Sequence, residues 1–223
     1  MYTTIIFDLD GTLLDTIPDL AASMNHSLVV HDLNPLPVEN YNHYLGDGVY
    51  MLAERVLHDQ PDPAHWEDCD QLKKDLIYTM KEAYTHRWNQ TTKPYPGIVD
   101  LLDALRREGC RLAVVSNKPH DSAVQMTEYF FGSDCFDMIL GQREGVPVKP
   151  APHGVNDVIA HLALDRSQIL YVGDTNTDME TAKNADLTSI GVAWGFRSVE
   201  ELTAHGAQFV VHEAKEILDI FLA

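Results

Sequence analysis

The chain has 223 residues, and its 34 Asp and Glu against 16 Lys and Arg give a formal charge of −18. This length suits one large domain or two modest ones, and the charge argues against nucleic acid or an anionic membrane as a partner. No apolar run approaches the roughly 20 residues of a membrane-spanning helix. The first residues lack the basic segment of a signal peptide, and the three cysteines lack CxxC spacing, so we expect a cytoplasmic protein with free thiols.

Short β-prone runs recur along the chain and predict six strands. They lie at residues 3–7, 111–116, 137–140, 168–172, 188–192 and 208–211. Helical stretches lie between most of them, at residues 98–108, 121–131, 154–163 and 179–185. Strands that alternate with helices indicate βαβ units, so we predict an α/β fold with a mainly parallel sheet.

The alternation breaks between about residues 16 and 92, where we predict no strand. Apolar side chains at helical spacing predict helices there, at residues 18–30, 49–57 and 66–88. We therefore predict a core of residues 1–15 and 93–223 with an inserted, all-helical domain of residues 16–92. The chain leaves the core near residues 15–18 and returns near 94–97. Two neighbouring crossings favour a hinge, which would let the insertion close over the strand ends.

Two strings of aspartates follow two of the predicted strands. Asp8 and Asp10 lie in IIFDLDGT after the first strand, and Asp174 and Asp178 lie in YVGDTNTD after the fourth. In open α/β sheets, ligands bind at the carboxyl ends of the strands. Carboxylates gathered there repel one another unless a cation neutralises them, and oxygen ligands suit Mg²⁺. The pattern therefore predicts a Mg²⁺ site.

An aspartate beside Mg²⁺ at a strand end can act as a nucleophile on phosphorus and form an aspartyl-phosphate. A second aspartate two residues later lies on the same face of an extended chain, where it can protonate a leaving group and then activate water. Gly11 permits the tight turn that follows, and the Thr12 hydroxyl can hold the loop. In isolation, however, DxD at a strand end is usually a loop, a turn or an Asx cap.

The sequence resembles the haloacid dehalogenase superfamily, specifically its phosphatase branch, over the whole chain. The string DLDGTLLD at residues 8–15 matches the family's first motif in full. Its second motif, a Ser or Thr that ends a strand, is matched by VVSN at 114–117. Its third, a Lys, is matched by KPAP at 149–152, and its fourth by GDTNTD at 173–178. The four motifs occur in the family's order.

The resemblance implies a Rossmann-like core of three layers, α/β/α, with a helical cap of the C1 type inserted after the first motif. It implies that Asp8 is the nucleophile and Asp10 the general acid and base. Mg²⁺ would be held by Asp8, by Asp174 and by the main-chain carbonyl of Asp10. Asp178 would bind the metal or orient its ligands. The alternative for Asp178 is an N-cap of a helix starting near residue 179. The phosphoryl group would be bound by Ser116, Asn117 and Lys149, beside Gly11 and Thr12.

Within the family, the chain looks most like phosphoglycolate phosphatases. The stretches that carry this likeness are YLGDG at 44–48, AERVL at 53–57, YPG at 95–97 and WGFR at 194–197. They imply a small phosphorylated metabolite as substrate, with 2-phosphoglycolate as the leading expectation. Gly46 and Gly48 would face the substrate, and Arg55 would bind its carboxylate with a bidentate fork. The alternatives are a plain interhelical turn for the glycines and a surface pair with Asp59 for Arg55.

Other functions stay open beside phosphatase activity. A phosphosugar mutase similar to β-phosphoglucomutase is disfavoured because no lysine precedes Lys73, whereas such mutases usually carry one early in the cap. An inorganic pyrophosphatase would suit the same scaffold. A non-enzymatic phospho-accepting module, like a receiver domain, would need neither Asp10 nor an inserted cap. Asp10 also separates the chain from the dehalogenases of the superfamily, which generally lack it. A monomer and a homodimer are equally compatible with the sequence.

Overall fold

A computed structural model describes residues 1–61 and 69–223 of the chain. The chain divides into two compact units. The first, here called the core unit, comprises Met1–Asp15 and Pro94–Ala223, and the second, the helical unit, comprises Thr16–Lys93.

The core unit is built on a parallel sheet. The strands in chain order are β1 (Thr4–Phe7), β2 (Leu14–Asp15), β3 (Lys93–Pro94), β4 (Arg111–Pro119), β5 (Met138–Gln142), β6 (Ile169–Gly173), β7 (Thr188–Val192) and β8 (Phe209–Val211). Six of them form one sheet with the order β5-β4-β1-β6-β7-β8, while β2 and β3 form a separate two-stranded sheet. Neighbouring strands of the large sheet pair in parallel. The prediction of an α/β fold with a mainly parallel sheet is confirmed.

Helices account for most of the remaining regular structure. They are α1 (Ile17–Val30), α2 (Tyr41–Tyr44), α3 (Val49–His58), α4 (Asp70–Thr85), α5 (Ile98–Arg107), α6 (His120–Phe131), α7 (His153–Leu162), α8 (Asn176–Asn184), α9 (Val199–Ala204) and α10 (Ala214–Leu222). Throughout residues 1–61 and 69–223, none of the helices combines the length and apolar character needed to cross a membrane.

The central strand β1 lies between β4 and β6 and is buried along its whole length. After Thr4 it consists of Ile5, Ile6 and Phe7, a short apolar run of the kind expected when helices cover both faces of a parallel sheet. In register, Phe7 lies opposite Val114 of β4 and Val172 of β6. The residues that follow these three strands therefore meet at one edge of the sheet, where α/β proteins bind ligands.

Several boundaries differ from the predicted ones. Strand β4 continues past the predicted end at residue 116 to Pro119, with an irregular register after Val115. Helix α8 begins at Asn176, before the predicted start at residue 179, because Thr175 caps it. The elements β2, β3, α2, α9 and α10 are not among the predicted ones. Most of these are short, and a short segment shows too little periodicity to distinguish a helix from a strand.

In the described part of residues 16–92, every regular element is a helix. Helix α4 corresponds to the predicted helix at 66–88, although residues 62–68, including Trp66, lie outside the described residues. Leu76 and Met80 of α4 are buried, and the Ser27 hydroxyl of α1 donates to the Leu76 carbonyl at 2.8 Å. Packing between α1 and α4 therefore forms the centre of the helical unit.

Asp19 of α1 connects the two ends of the helical unit. Its carboxylate accepts hydrogen bonds from the backbone N–H groups of Thr91 and Thr92, at 3.0 and 2.8 Å. It also accepts the hydroxyl protons of both threonines, at 2.6 and 2.8 Å. Burial raises the pKa of Asp19, but these hydrogen bonds favour the charged form more strongly, so the pKa lies below its usual value. The charged carboxylate therefore stabilises the folded helical unit.

Replacing Asp19 with Asn should lower the free energy of unfolding by about 1.5–3 kcal/mol at pH 7, because hydrogen bonds to a charged acceptor are lost. The folded-state pKa is depressed, so the carboxylate's contribution is present above the unfolded pKa of about 3.9 and is lost as the pH falls through the folded pKa. Urea unfolding at pH 7 and pH 3 should therefore show a smaller difference between wild type and Asp19→Asn in acid. Exposed Asp32 provides the control, Asp32→Asn, and an equal effect of both substitutions would contradict the role of Asp19.

Candidate active site

Three carboxylates converge at the carboxyl ends of β1 and β6. One oxygen from each of Asp8, Asp174 and Asp178 lies within 4.8 Å of the others. Asp174 and Asp178 are completely buried, and Asp8 is 6% exposed. The backbone N–H of Asp8 donates to the Val172 carbonyl at 2.9 Å, which continues the β1–β6 pairing into the site. The structure thus brings together the two aspartate strings of the sequence.

Lys149 supplies the positive charge within this cluster. Its Nζ donates to Asp178 Oδ1 at 2.7 Å and forms an ion pair with Asp8 Oδ1 at 2.8 Å. Within the described residues this buried oxygen accepts no hydrogen bond of regular geometry, so the ion pair with Lys149 is its compensating contact. Three carboxylates against one ammonium leave two negative charges in excess if all groups are ionised.

Burial first, and then the neighbouring charges, shift the pKa values of the cluster. Burial raises the pKa of Asp8 to about 7, although the positive charge of Lys149 opposes the shift. Burial, followed by the charges of Asp178 and Asp8, raises the pKa of Asp174 well above its usual value. Burial lowers the pKa of Lys149, but the attraction of Asp178 and Asp8 is stronger and raises it overall. A buried set of oxygen ligands with excess negative charge fits a divalent cation.

Asp174 is enclosed by two turns. Thr12 Oγ1 donates to its Oδ1 at 2.8 Å, and the Phe196 backbone N–H donates to its Oδ2 at 2.8 Å. A Cβ atom at Gly11 or at Gly195 would overlap the Asp174 side chain. Gly11 also has a φ of +88°, which favours glycine. The family resemblance places Gly11 and Thr12 beside a phosphoryl group. In the structure, the Thr12 hydroxyl donates to Asp174, and the Gly11 main chain closely approaches the Asp174 side chain.

Asp178 belongs to the first turn of α8, where it takes part in a capping box. Thr175 is the N-cap residue: its Oγ1 accepts from the Asp178 N–H, and its own N–H donates to Asp178 Oδ2 at 3.1 Å. The alternative that Asp178 is itself the N-cap is therefore wrong. The other oxygen, Oδ1, accepts from Lys149 and from the Tyr171 hydroxyl at 3.2 Å. Asp178 thus fixes the position of the Lys149 ammonium.

Ser116 and Asn117 lie at the end of β4 and are both buried. The Asn117 side chain pairs with the main chain of Lys149: Oδ1 accepts from its N–H at 2.9 Å, and Nδ2 donates to its carbonyl at 3.2 Å. Asn117, which the family resemblance assigns to phosphate binding, therefore positions the backbone of Lys149. Ser116 Oγ accepts from the Lys118 N–H at 3.2 Å.

Asp10 forms an ion pair that the sequence did not predict. Lys118 Nζ lies 3.1 and 3.2 Å from the two carboxylate oxygens of Asp10. The Lys118 side chain is 4% exposed and that of Asp10 is 18% exposed. The sequence shows that Lys118 directly follows Ser116 and Asn117, but no local signal connects it with Asp10, which lies 108 positions away.

The predicted substrate residues lie in the helical unit. Gly46 and Gly48 both have positive φ, and Gly48 immediately precedes α3. Arg55 forms an ion pair with Asp47 and donates to the Tyr44 carbonyl at 3.0 Å. The alternative pairing of Arg55 with Asp59 is therefore wrong; Asp59 accepts from the Tyr44 hydroxyl. Arg55 holds the turn that contains the two glycines.

The sequence model of the haloacid dehalogenase-like hydrolases matches residues 5–192. The chain belongs to this family. Phosphoglycolate phosphatase of Neisseria meningitidis serogroup A is 33% identical over 203 residues, which cover 91% of this chain and 85% of the relative. Phosphoglycolate phosphatase of Pseudomonas putida is 29% identical over 214 residues, covering 96% of this chain and 78% of the relative. The predicted family resemblance is confirmed, and so is the prediction of an enzyme.

Solved structures of the family share the fold of the whole chain. The structure of a candidate phosphoglycolate phosphatase from Lactobacillus delbrueckii subsp. bulgaricus superimposes with a TM-score of 0.91 and 31% identity, covering 99% of this chain and 98% of that one. The structure of a predicted phosphoglycolate phosphatase from Haemophilus somnus gives a TM-score of 0.90 and 27% identity, covering 98% and 97%. The similarity therefore extends across both units rather than the core unit alone.

Replacing Thr12 with Val should destabilise the metal-free protein by about 1–3 kcal/mol, because the isosteric side chain leaves Asp174 Oδ1 without its donor. Thr12→Ser keeps the hydroxyl and should retain most of the stability. Urea unfolding in the presence of a chelator measures both variants against wild type. If Thr12→Val were as stable as Thr12→Ser, the hydroxyl would not be needed to hold Asp174.

Proposed function

We propose that this hydrolase is a Mg²⁺-dependent phosphatase that acts on a small phosphorylated metabolite, with 2-phosphoglycolate as the first candidate. The observation that carries the proposal is the buried cluster of Asp8, Asp174 and Asp178 around Lys149 at the ends of β1 and β6. The names of the similar phosphoglycolate phosphatases support the choice of substrate.

The residues suited to hold the metal are Asp8 and Asp174, through their carboxylates, and Asp10, through its main-chain carbonyl. Two features favour this assignment: the negative charge of the three carboxylates exceeds the positive charge of Lys149, and one buried oxygen of Asp8 has, among the described residues, the Lys149 ion pair in place of a regular hydrogen bond. Bound Mg²⁺ would screen the repulsion between the Asp8 carboxylate and the anionic phosphoryl group. Asp178 would act through Lys149 and the ligands around it.

In the first step, a carboxylate oxygen of Asp8 attacks phosphorus, and the bond between phosphorus and the leaving oxygen breaks. Asp10 gives its proton to that oxygen, so the alcohol departs neutral and the phosphoryl group stays on Asp8. Lys149, 2.8 Å from Asp8 Oδ1, places a positive charge beside the attacked phosphoryl group. Such a charge stabilises the phosphoryl oxygens in the transition state. The Ser116 hydroxyl is proposed to donate to the same oxygens.

In the second step, water attacks the phosphorus of the aspartyl-phosphate, and the Asp10 carboxylate takes the proton of that water. The bond between phosphorus and Asp8 breaks, inorganic phosphate leaves, and both aspartates return to their starting states. The net reaction is hydrolysis of one phosphomonoester to an alcohol and phosphate. Asp10 thus serves as the acid in one half of the cycle and as the base in the other.

We propose two domains with different roles. Residues 1–15 and 93–223 form the catalytic core, and the helical insertion of residues 16–92 selects the substrate. Within it, Gly46 and Gly48 are proposed to face the substrate. For Arg55 to bind a substrate carboxylate, its guanidinium would have to exchange the Asp47 carboxylate for that of the substrate. Asp47 and the substrate would then compete for the same planar fork of donors.

The wild-type protein with Mg²⁺ should release inorganic phosphate from 2-phosphoglycolate, and Asp8→Asn should lower the rate by on the order of 10³-fold or more, because the nucleophile is lost. Asn has nearly the shape of Asp, so circular dichroism should show the same fold. Asp32→Asn, an exposed change in the helical unit, is the matched control and should keep full activity. Retained turnover in Asp8→Asn would contradict the role of Asp8.

A panel of phosphomonoesters, a hexose phosphate and pyrophosphate, ranked by kcat/KM, tests the substrate class. Highest activity on phosphoglycolate is the expected result. Isomerisation of the hexose phosphate without release of phosphate would instead identify a mutase, and fastest turnover of pyrophosphate would identify a pyrophosphatase.

A further inference from the structure

The site contains two buried lysines, and each contacts a different aspartate of the first motif. Lys149 lies against Asp8 and Asp178, whereas Lys118 lies against Asp10. Both lysine side chains are 4% exposed. The chemistry described above uses Lys149 and leaves the Lys118 ammonium without a role.

The backbone of Lys118 is held tightly at the end of β4. Its N–H donates to Ser116 Oγ at 3.2 Å. A Cβ atom at Gly141 of β5 would lie 2.5 Å from the Lys118 carbonyl oxygen, so the glycine is what permits this close approach. A side chain that starts from a fixed backbone and is itself buried has few other rotamers available, and its ammonium is therefore held in place.

The Lys118 ammonium contacts both oxygens of the Asp10 carboxylate, at 3.1 and 3.2 Å. Two contacts to one carboxylate restrict its rotation, whereas a single contact would leave the second oxygen free to turn. A buried ammonium is costly unless it is paired, so the pair is expected to persist in the folded protein. The geometry fixes the direction in which Asp10 presents its oxygens.

We propose that Lys118 is a positioning residue for Asp10: the contacts of its ammonium with both Asp10 oxygens hold the carboxyl in the orientation that serves the leaving oxygen, both when Asp10 carries its proton and after it has given the proton up. This inference rests on the proposed phosphatase function. Lys118 acts through Asp10, whereas Lys149 and Ser116 are the residues proposed to contact the phosphoryl group. Lys118 thus contacts the proposed acid and base, Asp10, and Lys149 contacts the proposed nucleophile, Asp8.

The role of Lys118 has a consequence that depends on the leaving group. An alkoxide such as that of 2-phosphoglycolate is a poor leaving group and needs a proton from Asp10 as the bond to phosphorus breaks. A dinitrophenolate leaves without a proton. A change that misplaces Asp10 should therefore slow hydrolysis of 2-phosphoglycolate and leave hydrolysis of a dinitrophenyl phosphate nearly unchanged. General damage to the site should slow hydrolysis of both esters.

The test compares wild type with Lys118→Met on 2-phosphoglycolate and on 2,4-dinitrophenyl phosphate, using kcat/KM because it reports the step in which the ester bond breaks. Lys118→Met should lose about 10²-fold or more on 2-phosphoglycolate, as expected for a misplaced acid, and within about 3-fold on the dinitrophenyl ester. Lys183→Met, at an exposed position of α8, is the matched control and should match wild type on both.

A double-mutant cycle with Asp10→Asn shows whether Lys118 acts through Asp10. With Asp10 already replaced, Lys118→Met should add less than about 3-fold to the loss on 2-phosphoglycolate, since groups that act as a unit are not additive. Should Lys118→Met fail to fold, Lys118→Arg answers the same question, because it keeps the charge but changes the geometry of the donors. A leaving-group-dependent loss, smaller than for Met, is then expected.

Equal losses on the two esters, or a full additional loss in the Asp10→Asn background, would overturn the positioning role while the proposed function stands. Wild type that releases phosphate from neither ester would contradict the proposed function and this inference with it.

Discussion

The structure depends on one electrostatic constraint: Asp8, Asp174 and Asp178 are buried together around the ammonium of Lys149. Burial raises the pKa values of Asp8 and Asp174 because the low-dielectric interior penalises their charged forms. Such a cluster is unfavourable in a protein that only has to fold. Its position at the ligand-binding edge of the sheet supports the proposed divalent cation and phosphorylated substrate.

The scaffold keeps this cluster in place through backbone geometry as much as through side chains. The parallel register of β1 and β6 brings Asp8 beside Asp174, although the two are far apart in sequence. Gly11 and Gly195 leave room for the Asp174 side chain, and the Phe196 N–H holds one of its oxygens. The site is therefore fixed by the main chain of two paired strands and of the two turns that enclose Asp174, which is how catalytic groups keep their geometry without reorganising.

The sequence predicts the parts of the site whose signals are local. An aspartate directly after a buried strand is recognisable without its partners, so Asp8 could be placed at the edge of the sheet. Partners brought together by folding could not be found in this way. Lys118 reaches Asp10 across 108 positions of the chain. Arg55 pairs with Asp47 across the glycine turn, although helical spacing alone favours Asp59.

Calorimetric titration of Mg²⁺ into metal-free protein shows whether the buried carboxylates form the proposed divalent-cation site. We expect saturable binding of one ion per chain in the wild type, and loss of that binding in Asp174→Asn, which removes a buried carboxylate while its donors Thr12 and Phe196 remain. Wild-type protein that binds no Mg²⁺, or an Asp174→Asn variant that binds it equally well, would contradict the account.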